Sequence, residues 1–424
     1  MFFKGRKTCF GIMCKVLGCL IPLKPWRKRF RNWCRLKSID FEKIHANYAN
    51  KILSLKTKET INVVFLVWEN CKWSYDSLYK LFAENKKYHP MVVIVQNDKQ
   101  PVCDLDKNLS FFQTRGYEVV VVKNGDELKT YSPDIIFYEQ PWFALDSEGD
   151  FFPGTLSQDA LCFYVPYSIE LDMHDRIIVI TKRFYLALYK TFIFNKDVQT
   201  DMNGYGVDNL VISGHPKLDV YLEPVSQKNL WESTGKTRII YAPHHSFGDS
   251  SLKWATYEWN GDHILQLAQK YADVTEWVFK PHPAFYRALV TKFGQAYADN
   301  VFSEWKKVSK LYDTGGYFDL FRTADLMISD CDSFKWEWLL TGKPYLNLVS
   351  QYPGAEPQGP IRRHFATGYY HANNIEEIDK YFDLLVCQHQ DPLKSKRDAL
   401  MQDIPLQATQ RIYTFINDLL EDKQ

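Results

Sequence analysis

Short apolar runs recur along the chain between longer stretches of mixed polarity. "INVVFLVW" (61–68), "PMVVIVQ" (90–96), "YEVVVV" (117–122) and "PDIIFYEQP" (133–141) are continuous and rich in Val and Ile rather than alternating. Continuity of this kind marks strands covered on both faces, as in a parallel sheet. "ALCFYVPY" (160–167), "DRIIVIT" (175–181) and "NLVISGHP" (209–216) read as further short strands. A helix is expected over 40–55, and "YDSLYKLFAEN" has helical spacing. A second series runs through "TRIIYAPHHS" (237–246), "TEWVFKPHP" (275–283), "ADLMISDCDS" (324–333) and "KPYLNLVS" (343–350), with the helical stretches "DHILQLAQKYA" and "DSFKWEWLLTG" between them. Strands alternating with helices form βαβ units and hence parallel sheets. The pattern predicts an α/β chain of two Rossmann-like, parallel-sheet domains, an N-terminal one over 59–225 and a C-terminal one over 226–404. Residues 1–58 precede them as a basic segment and a helix, and a last helix within 405–424 packs back on the first domain.

Composition narrows the function classes. Among 424 residues, 46% are hydrophobic and 16% aromatic, enough for a sizeable core and unlike a disordered chain. The formal charge of +1 conceals an asymmetry, because residues 1–37 include "KPWRKRFRNWCRLK" and no acid. Basic excess confined to one end of a near-neutral chain argues against nucleic acid as a partner. Just before it, "FGIMCKVLGCLIPL" (10–23) is interrupted by Lys15 and too short to span a bilayer. Apolar and aromatic groups mixed with Lys and Arg fit an amphipathic segment lying on an anionic membrane surface. The nine cysteines form no CxxC pair, which suggests neither a disulfide framework nor a zinc site. Reduced thiols place the chain in the cytoplasm, peripheral to the membrane.

Chemistry concentrates at the ends of the second-series strands, which a parallel sheet brings to one edge. His244 and His245 follow the first of them. Lys280 and His282 alternate with Pro281 and Pro283 after the next, so both are held in a rigid extended turn. Asp330, Asp332 and Ser333 follow the third, with Ser333 expected to cap the next helix and leave its amides available to phosphate. His215, before a proline, reads as structural. No glycine-rich GxGxxG or Walker loop occurs, which excludes the usual nicotinamide and P-loop sites. No metal site and no cofactor are expected.

Four ordered blocks, "SGHPKLD" (213–219), "IIYAPHHS" (239–246), "VFKPHP" (278–283) and "ADLMISDCDSFKWEWLLTGKPYL" (324–346), resemble those of the CDP-glycerol glycerophosphotransferase family, the teichoic-acid primases and polymerases. There the blocks read roughly G-x-P-R-x-D, Y-A-P-T, K-x-H-P and T-D-Y-S-S-x-x-x-D followed by K-P. With a looser match at "CKWSYDSLYKLF" (71–82), the resemblance covers about residues 60–350. It implies the GT-B architecture, two such domains facing a cleft, with the nucleotide donor in the C-terminal domain and the acceptor entering from the N-terminal one. It also implies transfer of glycerol phosphate from CDP-glycerol to a hydroxyl of a membrane-linked glycan or polyol phosphate, releasing CMP. By this resemblance His282 is the donor-phosphate histidine, Ser333 and Asp330 fall in the donor block, and Glu337 stands where the family has its later aspartate.

The family's W-H-G-T block, which carries the histidine proposed as general base, is absent; "VPYS" stands in its place, with Tyr167 inside it and His174 downstream as candidate bases. The candidate site is therefore His282, His174 and Glu337 for catalysis, and Lys280, Asp330, Asp332, Ser333, His244 and His245 for the donor. The expected partners are a nucleotide-activated donor, a lipid-linked glycan or polyol phosphate and an anionic membrane. The rivals are a GT-B glycosyltransferase that uses a nucleotide sugar and a non-catalytic scaffold of a polysaccharide machine.

Overall fold

The computed structural model describes residues 21, 24–96, 104–169, 175–226, 230–232, 235–248, 252–313, 316–353 and 359–421. The apolar stretch over 10–23 thus lies, apart from Ile21, outside the described residues, as does His174. The chain divides into two compact units: unit 1 is Met1–Asp219 with Pro405–Gln424, and unit 2 is Val220–Ile404.

Unit 1 holds seven strands: β1 (Ile61–Val67), β2 (Tyr88–Val95), β3 (Val119–Val122), β4 (Ile135–Tyr138), β5 (Leu161–Tyr164), β6 (Lys190–Ile193) and β7 (Leu210–Ile212). They lie in the order β3-β2-β1-β4-β5-β6-β7, every pairing parallel. Phe65, Phe137, Phe163 and Phe192 stack in a row across four neighbouring strands, with centroids 5.2, 5.4 and 5.7 Å apart. Register fixes this row, since Phe65 pairs with Phe137 and Phe137 with Phe163.

Helix Ala408–Leu420 belongs to this unit; its Tyr413 hydroxyl accepts from Asn85 and its first amides, Ala408 N and Thr409 N, donate to the Asp219 carboxylate at 3.0 and 2.7 Å. The aspartate that closes "SGHPKLD" is thus a helix cap supplied from another segment. Gly214 in the same block has φ +84°, and a Cβ there would meet the Pro405 carbonyl oxygen at 2.3 Å, so only glycine fits. His215 Nε2 bonds the Pro166 carbonyl at 2.7 Å, and burial lowers its pKa to about 4.

Unit 2 holds β8 (Thr237–Ala242), β9 (Thr275–Phe279), β10 (Ser309–Leu311), β11 (Leu326–Ser329), β12 (Tyr345–Leu348) and β13 (Tyr370–Ala372). Their order is β10-β9-β8-β11-β12-β13, again all parallel. Numbered within each sheet, the first six strands of both follow the doubly wound order 3-2-1-4-5-6, with a reversal of direction between the first and fourth strands.

Residues 175–181, expected as a strand, instead begin the helix Asp175–Ala187, and the strand beside β5 is β6. A short run of Ile and Val fits either state by itself, and here the run continues into thirteen helical residues.

Candidate active site

The reversal point of the second sheet lies between β8 and β11. Ligands of doubly wound sheets bind at such points, outside the strand ends. The backbone past the strands is fixed by continued pairing: Lys280 N donates to Tyr241 O at 2.8 Å and His282 N to Pro243 O at 3.0 Å. Three imidazoles are thereby gathered, with ring centroids 4.4 Å (His244–His245), 4.9 Å (His244–His282) and 4.0 Å (His245–His282) apart.

Asp330, directly after β11, organises this corner. Its Oδ1 accepts from His244 N at 2.7 Å, and its Oδ2 from Thr256 N at 2.7 Å and Thr256 Oγ1 at 2.9 Å. Burial outweighs these donors and pushes its pKa up to about 6. Both oxygens are engaged with the protein, so in this structure Asp330 positions the histidine loop.

Hydrogen bonding settles the form of two of the rings. The Ser246 amide approaches His244 Nδ1 at 3.2 Å and the Ser246 hydroxyl lies 2.7 Å from it, while Trp254 N donates to that hydroxyl oxygen at 3.0 Å. Ala284 N donates to His282 Nδ1 at 3.0 Å. A nitrogen that accepts from a backbone amide carries no proton, so both neutral rings hold theirs on Nε2. Burial, reinforced by the other two rings, lowers the His244 pKa to about 2 and keeps it neutral.

Among the described residues these three histidines also have the spacing of a metal site, with one ring nitrogen from each within 4.8 Å of the others. A metal on Nε2 would require a proton on Nδ1, facing the Ser246 or Ala284 amide. The arrangement therefore suits an anion, to which N–H groups donate, better than a cation.

Lys280 is set among aromatic rings, its Nζ 5.0 Å from the centre of Tyr317, 5.2 Å from Phe334 and 6.0 Å from Tyr312. The rings attract the ammonium and narrow its range of positions. Glu337 is buried behind this cage: its side chain bonds the Tyr317 hydroxyl, and its backbone carbonyl accepts from Tyr221 at 2.5 Å. Asp332 pairs with Lys335 at 3.5 Å and with Arg362.

Ser333 is not the helix cap. Helix Asp332–Leu339 has Cys331 as its N-cap, in extended conformation and without a side-chain capping bond, so Ser333 lies one residue inside the helix and is exposed. It makes a 3.3 Å contact with Cys331 Sγ.

The structure thus joins His244, His245, His282 and Asp330 in one corner, gives Lys280 and Glu337 the ring of Tyr317 in common, and ties Asp332 to cations. Sequence reasoning passed over Thr256, Tyr312, Tyr317 and Arg362. Nothing in their local spacing marks them, because each acts on a residue distant in the chain. Ser246 and Phe334 were inside recognised blocks without a role of their own.

The fold is that of a GT-B protein, two tandem parallel-sheet units, with three clustered histidines at the reversal point of the second sheet. The wall teichoic acid polymerase TagF superposes with a TM-score of 0.58 at 13% identity, covering 100% of this chain and 99% of that one. A second TagF structure, a histidine variant soaked with CDPG, gives 0.56 at 14% identity over 93% and 98%. UDP-GlcNAc 2-epimerase from Neisseria meningitidis, bound to UDP-GlcNAc, gives 0.55 at 13% identity over 85% and 100%. No curated protein sequence matches the chain. Residues 189–352 match the family described as CDP-Glycerol:Poly(glycerophosphate) glycerophosphotransferase. All four motif blocks fall inside that stretch.

Proposed function

We propose that this protein transfers glycerol phosphate, or a related polyol phosphate, from a CDP-activated donor to a hydroxyl acceptor in the synthesis of a cell-surface polymer of the teichoic-acid or capsule kind. The observation that carries this reading is the coincidence of the family match with the anion-suited corner at the β8/β11 reversal. His282 and His244 offer Nε2–H groups and Lys280 a caged ammonium to the donor diphosphate, and the amides at the start of helix Asp332–Leu339 add further donors. Such groups stabilise charge as an acceptor oxygen displaces the cytidine phosphate at phosphorus. The acceptor O–H breaks as the new O–P bond forms, and CMP leaves with the electrons of the old P–O bond, its phosphate taking up the acceptor's proton. Positioning and electrostatics carry this step, and it calls for no cofactor besides the donor.

Our reading places the protein at the cytoplasmic face of the membrane, where it meets a lipid-linked acceptor. Among the described residues no helix is long and apolar enough to cross a membrane. Helix Lys24–Ser38 supports a peripheral position. Trp26 and Trp33 are 65% and 51% exposed, and they share a face with Phe30, whose ring stacks on Trp33. Arg31, Arg35 and Lys37 lie on the same helix. Exposed aromatics beside basic residues suit the interface of an anionic bilayer.

The test is to assay the purified protein side by side with CDP-glycerol, CDP-ribitol and UDP- and CMP-sugars, following nucleotide release and acceptor extension. Turnover of a CDP-polyol is expected. Turnover of a nucleotide sugar alone would make it a glycosyltransferase, and failure to bind CMP or CDP in calorimetry would make it a scaffold.

A further inference from the structure

The first sheet has its own reversal point, where β1 adjoins β4, and none of the roles assigned above falls on it. Glu139 is the residue directly after β4, just as Asp330 is the residue directly after β11. Asp330 is saturated by three protein donors. Glu139 is 0% exposed, yet neither of its carboxyl oxygens has a hydrogen-bond partner, and Oε1 of the adjacent Gln140, 1% exposed, has none either. The Trp68 amide is near enough to favour the anion without reaching hydrogen-bond geometry, and Lys72 is the cation whose charge acts on it. Lys72 Nζ in turn lies 5.4 Å from the centre of the Tyr167 ring.

A buried carboxyl without donors weakens a fold whether it is ionised or neutral, and a methionine would fill similar volume without that penalty. Stability therefore does not account for Glu139. Three buried acceptor atoms without a hydrogen bond, at the point of a doubly wound sheet where ligands bind, match a ligand that brings its own donors. Hydroxyl groups are such donors.

We propose that Glu139, with Gln140 beside it, binds hydroxyl groups of a polyhydroxylated acceptor, a polyol phosphate chain or glycan, within unit 1. The inference rests on the transferase reading and gives that acceptor a named residue.

The test uses the full-length protein with Glu139→Gln and Glu139→Met. Four quantities are measured: calorimetric binding of CDP-glycerol, KM and kcat with a short poly(glycerol phosphate) oligomer, and Tm. Both variants should bind CDP-glycerol as the wild type does and melt at the same temperature or higher. KM for the oligomer should rise at least tenfold in the Met variant, and less in the Gln variant, which keeps one acceptor oxygen. An unchanged KM in both variants, with or without a lowered Tm, overturns the proposal. If the Met variant does not fold, the isosteric Gln variant decides by the same KM criterion. If the wild type binds no CDP-glycerol, it is the transferase reading that fails. Direct titration of the oligomer into wild type and the Gln variant then decides for Glu139, equal affinity overturning the assignment and weaker affinity in the variant supporting it.

Discussion

The two sheets run in the same strand order and place a carboxylic acid at the same position, one residue past the fourth strand, yet they treat it in opposite ways. In unit 2 the acid is Asp330, held by two backbone amides and a hydroxyl; in unit 1 it is Glu139, equally buried and bare. Topology thus fixes where a polar residue can sit, while its neighbours decide whether it builds the protein or waits for a ligand. Asp330 uses its acceptors on the loop that aims His244, and under the proposed function the donor-facing chemistry falls to the histidines and Lys280. A bare acid, by contrast, is itself the binding group.

The largest expected effect tests whether unit 2's corner is the reacting one. His282→Ala should lower transfer by about 10² to 10³, the usual consequence of removing one preorganised donor, with little loss of folding because its ring is only half-buried. A variant that keeps half the wild-type rate would remove His282 from the mechanism.

The units differ next in their surfaces, since unit 1 carries the basic helix Lys24–Ser38. Neutralising Arg31 and Lys37 to Gln should weaken binding to anionic vesicles roughly thirtyfold, at about 1 kcal/mol for each charge. Added salt should weaken the wild type similarly, and CDP binding should not change. Substitution is preferable to deletion, because Cys34 of this helix is buried in the unit. Co-sedimentation with phosphatidylglycerol vesicles checks this, and retention equal to the wild type would move the membrane contact elsewhere.

A third experiment contrasts the two acids in stability. At pH 8, Asp330→Asn should cost about 1 to 3 kcal/mol, since one amide oxygen must serve where a carboxylate accepted from three buried donors. Glu139→Gln should cost nothing or stabilise. Urea melts of both variants would show it, and equal losses would erase the distinction drawn between the two positions.

The smallest effect per step is a pH dependence, whose sign differs between the histidine and the acids. His244, lowered from 6.5 to about 2, leaves the folded state short of a proton that the unfolded state binds, so its share of stability is present above pH 6.5 and lost as pH falls. Asp330, raised from 3.8 to about 6, does the reverse, and its share is lost as pH rises through that window. Between about pH 4 and 6 the two slopes oppose each other at about 1.4 kcal/mol per unit each.

A His244→Asn variant should expose the Asp330 slope and lose stability as pH rises over that range. In unit 1, burial raises Glu139 well above 4.5, so the wild type loses stability as pH climbs from there. The advantage of Glu139→Gln should accordingly grow with pH, at about 1.4 kcal/mol per unit. Chemical denaturation at several pH values measures both trends, and parallel curves for variant and wild type would contradict them.

Much of this was legible in the chain. Continuous apolar runs identified ten strand segments correctly, because burial on both faces demands it of any parallel strand. The prolines around His282 showed that the residue sits in a rigid turn at a strand end. Local pattern also misled in two places. The Ile and Val residues of 175–181 have a strand's composition, but the helix they begin is set by its continuation through Ala187. Ser333 looks like a cap because serine often is one, but the helix begins at Asp332 with Cys331 extended before it, a choice that composition does not encode.

The sequence by itself determined the two parallel sheets, the ordered motif blocks and the presence of histidines, a lysine and acids at the strand ends, since these arise from periodicity and from residues close together in the chain. Only the tertiary structure decided their roles. Thr256 reaches Asp330 from 74 residues away, Tyr312 and Tyr317 come to Lys280 from beyond a whole helical segment, and the buried Glu139 carboxyl makes no hydrogen bond. Each of these facts depends on the spatial arrangement of groups far apart in the chain, and the strength of a hydrogen bond or a charge depends on which groups finally surround it.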